Sequence, residues 1–331
     1  MRIHHMQPFA LAPLGVSAGG GAAASGSPQA ILGLAGLRSP LWGEPPDDYA
    51  EFASLDLAYR EGYRFFDTAA IYGLGGCERT LGRWTERRGN RRELVVVGKG
   101  GHPSLVRPGR HRLTPEALDH DLRGSLDRLR TDYLDVYALH RDGQSCDLTA
   151  VMRYLHEQVT RGTIRAIGVS NWTHTRIDEA NTLARQLGLT PFAVSSPQLS
   201  LLTWTSAPWR GCVSVSGAEG AAARAWYRDS GMPVLAWSPF GGGLTRGADG
   251  AWKPSGKHYA GPGNAARLAR AAAIAQQRDL TVPQILMAYL ASLPLLVHPI
   301  CASRNQEHLR ANREALQVRL SEADVHFLEN G

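Results

Sequence analysis

The sequence predicts an α/β fold, a single (β/α)8 TIM barrel with long loops at its C-terminal mouth, and three observations carry that expectation. Short apolar runs recur eight times, each followed by a turn and then a stretch with helical spacing. These runs are continuously hydrophobic, as strands covered on both faces are, instead of alternating. The 331 residues accommodate eight such units around one core. Strand and helix in alternation imply parallel strands with right-handed crossovers. The rival, an open doubly wound sheet, usually carries a GxGxxG turn after its first strand, and here that turn reads Gly33-Leu34-Ala35-Gly36.

Residues 1–30 read as a flexible N-terminal segment and 31–331 as the barrel. Phe9 to Val16 is a short apolar patch broken by Pro13, followed by a Gly/Ala/Ser run over 18–27, a poor core for a signal peptide. The strand candidates are Ile31–Gly36, Tyr63–Ala69, Leu94–Gly100, Tyr133–His140, Arg165–Asn171, Phe192–Leu199, Met232–Pro239 and Leu295–Ser303. Asp47-Asp48 can cap a helix with Phe52, Leu55 and Tyr59 on one face, stopped by Gly62. Thr114-Pro115 is an N-cap with proline at the first helical position, ahead of Leu118, Leu122, Leu126 and Leu129. Val151, Leu155 and Val159 make a stripe ending at Gly162, and Ile177, Ala180, Leu183 and Leu187 one ending at Gly188.

Composition excludes several classes. The chain is 43% hydrophobic and 20% charged, which rules out wholesale disorder, collagen and a coiled-coil rod. No apolar run approaches the roughly 18 residues of a membrane helix. The net charge is +6, but the arginines are scattered in short groups such as Arg87-Arg88 and Arg91-Arg92, with no basic stripe suited to nucleic acid. Such a surface instead favours a phosphate-bearing small ligand. The four cysteines, Cys77, Cys146, Cys212 and Cys301, lie far apart with no metal-ligand spacing, so the expectation is a reducing, cytoplasmic compartment and no metal.

Barrels of this kind work at the C-terminal ends of their strands. The polar residues there are Asp67, Lys99, His140, Ser170-Asn171 and Gln198, with Tyr72 on the second loop. Lys99 stands out: the chain has only three lysines, and this one ends an apolar strand. A buried ammonium needs a counter-ion, and the neighbouring strand ends in Asp67. A nearby cation lowers the pKa of a tyrosine and makes it a usable acid, while a neutral histidine can donate a hydrogen bond to a carbonyl oxygen. Together they suit protonation of a carbonyl oxygen while hydride arrives at carbon.

At these residues the chain resembles the aldo-keto reductase superfamily, from about residue 31 to 329. Phe66-Asp67-Thr68-Ala69-Ala70-Ile71-Tyr72-Gly73 is similar to its Asp-Thr-Ala-x-x-Tyr-Gly segment. Gly98-Lys99-Gly100 is similar to its third-strand lysine segment, and Asp132-Tyr133-Leu134-Asp135 leads to Leu139-His140 as in its fourth strand. Gly162 to Asn171 resembles a further characteristic stretch. The resemblance implies a catalytic tetrad of Asp67, Tyr72, Lys99 and His140, with Tyr72 as general acid, and an NADPH (NADP+) site, NADH being less favoured. It places Ser170, Asn171 and Gln198 at the nicotinamide carboxamide and Trp237 where a stacking tyrosine is usual. It makes Ser238, Pro239 and Phe240 cofactor-binding as well, places the loop Gly241-Gly242-Gly243-Leu244-Thr245-Arg246 on the pyrophosphate side, with Gly241 and Gly243 in contact, and places Ser303, Arg304, His308 and Asn312 at the adenosine 2′-phosphate and adenine. Ala302 stands where many members have a basic residue and Cys301 where glycine is common, which weakens the expected preference for NADPH.

Trp42, Trp172, Trp204 and Trp209 are the aromatic candidates for the substrate wall, the alternative for each being to pack a loop onto the barrel. The partner is a small carbonyl compound; the oligomeric state is not legible. Two other readings compete: an NADP(H)-binding redox sensor or regulatory barrel with little turnover, and an aldolase-like barrel using Lys99 as a Schiff-base nucleophile.

Overall fold

The computed structural model describes residues 11–16, 26–37, 49–103, 111–248, 250–254 and 256–331. Seven strands follow in order: β1 (Ile31–Gly33), β2 (Phe65–Asp67), β3 (Val95–Gly100), β4 (Leu134–Leu139), β5 (Ile164–Ser170), β6 (Val194–Ser196) and β7 (Val234–Trp237). An antiparallel ribbon, β8 (Leu244–Arg246) and β9 (Trp252–Pro254), precedes β10 (Val297–Cys301). The ribbon apart, the strands are parallel, and β10 closes the barrel against β1, Ile31 opposite Ile300. Each apolar run read from the sequence overlaps one barrel strand.

The helices are α1 (Tyr49–Arg60), α2 (Gly76–Arg88), α3 (Pro115–Leu129), α4 (Leu148–Thr160), α5 (His174–Leu187), α6 (Ala221–Ser230), α7 (Pro262–Gln277), α8 (Val282–Ser292), α9 (Gln306–Ala315) and α10 (Glu322–Asn330). Thr114 caps α3, its hydroxyl accepting from the Ala117 N–H at 3.3 Å. Gly188 ends α5 with φ 66°, the left-handed conformation a helix stop requires. The predicted caps of α1, Asp47 and Asp48, lie outside the described residues, as does Trp42.

Alternation within the strands decides what faces the barrel axis. Ile31, Phe65, Val95, Val97, Val136, Ala166, Val194 and Leu235 form one buried cluster inside the barrel. Their neighbours Leu32, Phe66, Val96, Tyr137, Ile167 and Ala236 belong to the larger core between sheet and helices. Continuing the inward parity to the strand ends reaches Asp67, Lys99, His140, Ser170, Ser196, Gln198 and Trp237. Apolar residues thus fill the lower barrel, and the same faces turn polar at the mouth.

Leu11, Leu14 and Val16, inside the segment read as flexible, are folded and join the inner cluster, closing its floor. Next to them His298 on β10 is fully buried. Its Nδ1 accepts from the Gln29 N–H at 3.1 Å and its Nε2 donates to the Leu14 carbonyl at 3.3 Å. Burial pushes this imidazole down from 6.5 to about 4. The unfolded chain therefore takes up a proton below pH 6.5 that the folded chain refuses until about pH 4. Stability is lost as pH falls through that window, by about 2 to 3 kcal/mol between pH 7 and pH 4.5 from this residue. Urea unfolding of wild type and His298→Gln at both pH values tests this, since the amide can accept and donate at the same positions without titrating. The variant should lose distinctly less stability on acidification; equal losses would exclude His298 as the acid-sensitive group.

Candidate active site

Asp67, Lys99 and His140 arrive at the mouth from three adjacent strands, β2, β3 and β4. Lys99 and Asp67 are each only 3% exposed. The Lys99 Nζ donates to Asp67 Oδ2 at 2.5 Å and to the Thr68 carbonyl at 3.0 Å, and lies 3.4 Å from the Tyr72 hydroxyl. Tyr72 opens a short 3-10 turn in which Gly73 and Leu74 both have left-handed φ, and its ring centroid lies 4.9 Å from the Lys99 Nζ. Its ring meets His140 edge-on, with centroids 5.8 Å apart.

Burial works against the charge of Lys99, yet Asp67 and Tyr72 hold its pKa above the ordinary value. Burial pushes Asp67 up, with Lys99 opposing. Burial likewise pushes Tyr72 up, and Lys99, through its charge and hydrogen bond, pulls against it. The sequence-based expectation of a lowered tyrosine therefore holds for the lysine's contribution and not for the net direction, because enclosure outweighs it. His140 lies well below its usual value through burial, then Lys99, Arg141 and His102. It is neutral, and its Nδ1 is buried without a partner.

The next strands form a second polar group. The Ser170 hydroxyl donates to the Ser196 carbonyl at 3.2 Å, and Asn171 Nδ2 donates to the Ser170 oxygen at 2.9 Å. Gln198 is oriented by two serines. Ser216 Oγ accepts from the Ser200 N–H and Ser214 Oγ from the Ser216 N–H, so both hydroxyls are left to donate to Gln198 Oε1, at 3.0 and 2.5 Å. Gln198 Nε2 is consequently a buried donor without a partner, as is the indole N–H of Trp237. Trp204 and Trp209 flank Trp237 with ring centroids 5.9 and 6.2 Å away.

Beyond Trp237 the chain turns through Ser238 (φ 52°), Pro239 and Phe240 into Gly241, Gly242 and Gly243, all with left-handed φ. A Cβ on Gly241 would meet Leu202 at 2.8 Å, so only glycine fits this turn. Past β10, Ser303 Oγ accepts from the Asn305 N–H, and Asn305 caps α9 by accepting from the His308 N–H. His308 is exposed, whereas Asn312 is buried. Arg304 is paired: its Nη2 donates to both Oε atoms of Glu51 on α1 at 2.8 Å.

One expected wall residue is misplaced. Trp172 is fully buried and packs edge-on against Phe192 at 5.5 Å, so it lines no open surface. The cause is Asn171, whose φ of 58° breaks the strand alternation and swings the next side chain into the outer core. Two mouth residues escaped the sequence reading: His102, whose ring lies 4.9 Å from that of His140, and Arg141, directly after it. Each lies within two residues of a strand end that had been searched, Gly100 and His140, which is the signal that could have found them. Among the described residues no group of three or more His, Cys, Asp or Glu side chains is arranged to hold a metal ion, and no helix is long and apolar enough to cross a membrane.

A closed (β/α)8 barrel with a buried Lys–Asp pair, a tyrosine and a neutral histidine at its C-terminal mouth defines a class of barrel enzyme equipped to handle a carbonyl oxygen. The chain belongs to the aldo/keto reductase family, whose model matches residues 31–330. It is 28% identical over 298 residues to norsolorinic acid reductase of Aspergillus flavus, covering 86% of this chain and 72% of that one. It is 29% identical over 301 residues to aryl-alcohol dehydrogenase [NADP(+)] of Phanerodontia chrysosporium, covering 86% and 76%. In three dimensions it resembles a thermostable aldo-keto reductase solved with the inhibitor epalrestat, at TM-score 0.66 and 24% identity over 90% of this chain and 93% of that one. The protein is an NAD(P)H-dependent oxidoreductase.

Proposed function

We propose that this protein uses NADPH to reduce an aldehyde or ketone, with Tyr72 giving the proton and Lys99, Asp67 and His140 assisting. The observation that carries the reading is the single ammonium of Lys99 spanning the Asp67 carboxylate and the Tyr72 hydroxyl. As Tyr72 releases its proton to the carbonyl oxygen, the phenolate forms beside that cation, where opposite charge stabilises it most. Neutral His140 can donate a hydrogen bond to the same oxygen and orient it. Asp67 keeps Lys99 protonated and in place.

The residues present fit a nicotinamide dinucleotide. The orphaned amide donor of Gln198 matches a carboxamide oxygen, and Ser170 and Asn171 complete a polar edge for the same group. Trp237 offers a flat face for the nicotinamide ring. The turn from Ser238 to Gly243 lets backbone N–H groups approach a pyrophosphate. Ser303, Arg304, His308 and Asn312 would hold the adenosine end. When bound, the cofactor supplies hydride to the carbonyl carbon. The free thiols of Cys77, Cys146, Cys212 and Cys301 suit a reducing compartment such as the cytoplasm. The name of one relative, an aryl-alcohol dehydrogenase, supports an aromatic carbonyl.

Titration with NADPH and then NADH, followed by tryptophan fluorescence through Trp237, tests the cofactor site. NADPH should quench at lower concentration than NADH. Arg304→Ala should weaken NADPH about 10-fold and NADH little; the effect sits at the low end for a charge-assisted pair because Arg304 must leave Glu51 to meet a phosphate. Absence of quenching by both nucleotides would end the reductase reading.

A further inference from the structure

Arg141 occupies an unusual place among the arginines. Several of them pair with a carboxylate: Arg128 with Glu78, Arg112 with Asp121, Arg165 with Asp135, Arg176 with Asp142, Arg304 with Glu51. Arg141 is half-buried at the barrel mouth and has no carboxylate partner among the described residues. Its Nη1 donates to the His140 carbonyl at 2.8 Å, and its Nη2 lies 4.0 Å from Cys212 Sγ. Other partly buried arginines without a carboxylate, such as Arg224 and Arg270, spend their donors on two backbone carbonyls each. Among the described residues Arg141 meets one, plus a weak sulfur contact.

Its surroundings are those of the reacting centre. Its charge acts on Tyr72, His140 and His102. The loop that supplies Cys212 also supplies Trp209, the two being joined by a turn in which the Cys212 N–H donates to the Trp209 carbonyl at 3.3 Å. Trp209 in turn flanks Trp237. The loop of Trp209 and Cys212 therefore touches both the guanidinium of Arg141 and the aromatic group at Trp237, and Arg141 lies within the field of the tetrad.

We propose that Arg141 is the recognition point for an anionic oxygen on the substrate, and that the substrate is an aromatic carbonyl compound bearing an acidic group, a carboxylate or an ionised phenol. The proposal rests on the reductase reading and names its substrate class. Guanidinium is suited to the task because its planar fork meets a carboxylate through parallel donors. An acidic residue in the wall would repel such a substrate, and among the described residues none pairs with Arg141.

The test compares 2-, 3- and 4-carboxybenzaldehyde with their methyl esters, and the corresponding hydroxybenzaldehydes above their phenol pKa with their methyl ethers, in wild type, Arg141→Met and Arg141→Lys. In wild type, kcat/KM for at least one acid should exceed that of its neutral counterpart. In Arg141→Met that selectivity ratio should fall about 10- to 100-fold, chiefly through KM, and Arg141→Lys should restore part of it. Whichever series shows the effect identifies the anionic source. Equal losses for acid and neutral partner would mean that Arg141 acts only through Tyr72 or His140, and would overturn the proposal. So would a wild type without preference for any acid. Failure of the reductase reading shows separately, as no turnover of any compound by wild type. Arg141 is then judged by fluorescence titration with 4-carboxybenzaldehyde: quenching lost in Arg141→Met sustains the anion site, and identical or absent quenching in both proteins removes it.

Discussion

Tyr72→Phe is expected to lower kcat for carbonyl reduction by about 10³-fold or more while leaving the NADPH dissociation constant within about twofold. Positioned general acids contribute some 10²- to 10⁴-fold, and the upper part of that range is expected because, among the described residues, Tyr72 carries the one side-chain hydroxyl hydrogen-bonded to Lys99. His140 is held neutral, and its ring N–H can polarise an oxygen but loses its proton only at great cost. Lys99 already spends donors on Asp67 and the Thr68 carbonyl. The substitution keeps the ring that meets His140 edge-on, so packing should be preserved. Only the hydroxyl 3.4 Å from Lys99 is removed. Stopped-flow NADPH oxidation and fluorescence titration on one preparation separate the two effects. Retention of most of the turnover number would remove Tyr72 from its assigned role; a parallel loss of NADPH affinity would make it a binding residue instead.

The parts of this site that follow from alternation were legible in the sequence. Asp67 lies two positions beyond the inward Phe65, Lys99 two beyond Val97, and Gln198 four beyond Val194, so parity alone carries the polar residues to the axis. What depends on a break in parity was not legible. Trp172 looks like a mouth residue until Asn171 takes a left-handed φ, which asparagine adopts readily but which no neighbouring residue announces. What depends on distant pairing was not legible either. The Arg304–Glu51 contact joins residues 253 positions apart. The lack of a carboxylate at Arg141 among the described residues becomes visible only once the side chains around it are in place. The floor formed by Leu11, Leu14 and Val16 belongs to the same kind, since a short apolar patch before a Gly/Ala/Ser run gives no hint of what it covers. Finally, the net direction of Tyr72 depended on two opposed effects of similar kind, enclosure and a neighbouring charge, and their balance is a property of the folded mouth.

Lys99→Met should be the most damaging single change, because it strikes the fold and the chemistry through one atom. The ammonium donates a hydrogen bond to the Asp67 carboxylate in a place only 3% exposed. Breaking a buried ion pair by removing one partner costs about 3 to 5 kcal/mol, since the remaining charge stays desolvated. Asp67 can escape that penalty by taking up a proton. Burial already pushes it up and Lys99 is what opposes this, so its loss drives the carboxyl further in the same direction. The pH dependence follows. A carboxyl whose folded pKa is raised above its unfolded value of 3.8 binds its proton more tightly when folded, so stability is retained at low pH and lost as pH rises through the raised pKa. The gap in melting temperature between wild type and Lys99→Met should therefore be wider at pH 8 than at pH 5. The double variant Asp67→Asn/Lys99→Met carries no buried charge and should recover much of the stability. Turnover should not return with it, because Tyr72 would remain enclosed without the ammonium that hydrogen-bonds its hydroxyl, the weaker charge effect of Arg141 alone acting on it, and kcat should stay down about 10²- to 10⁴-fold. Recovery of stability without activity assigns Lys99 to the proton transfer. Recovery of both would leave the lysine as no more than the counter-ion of Asp67.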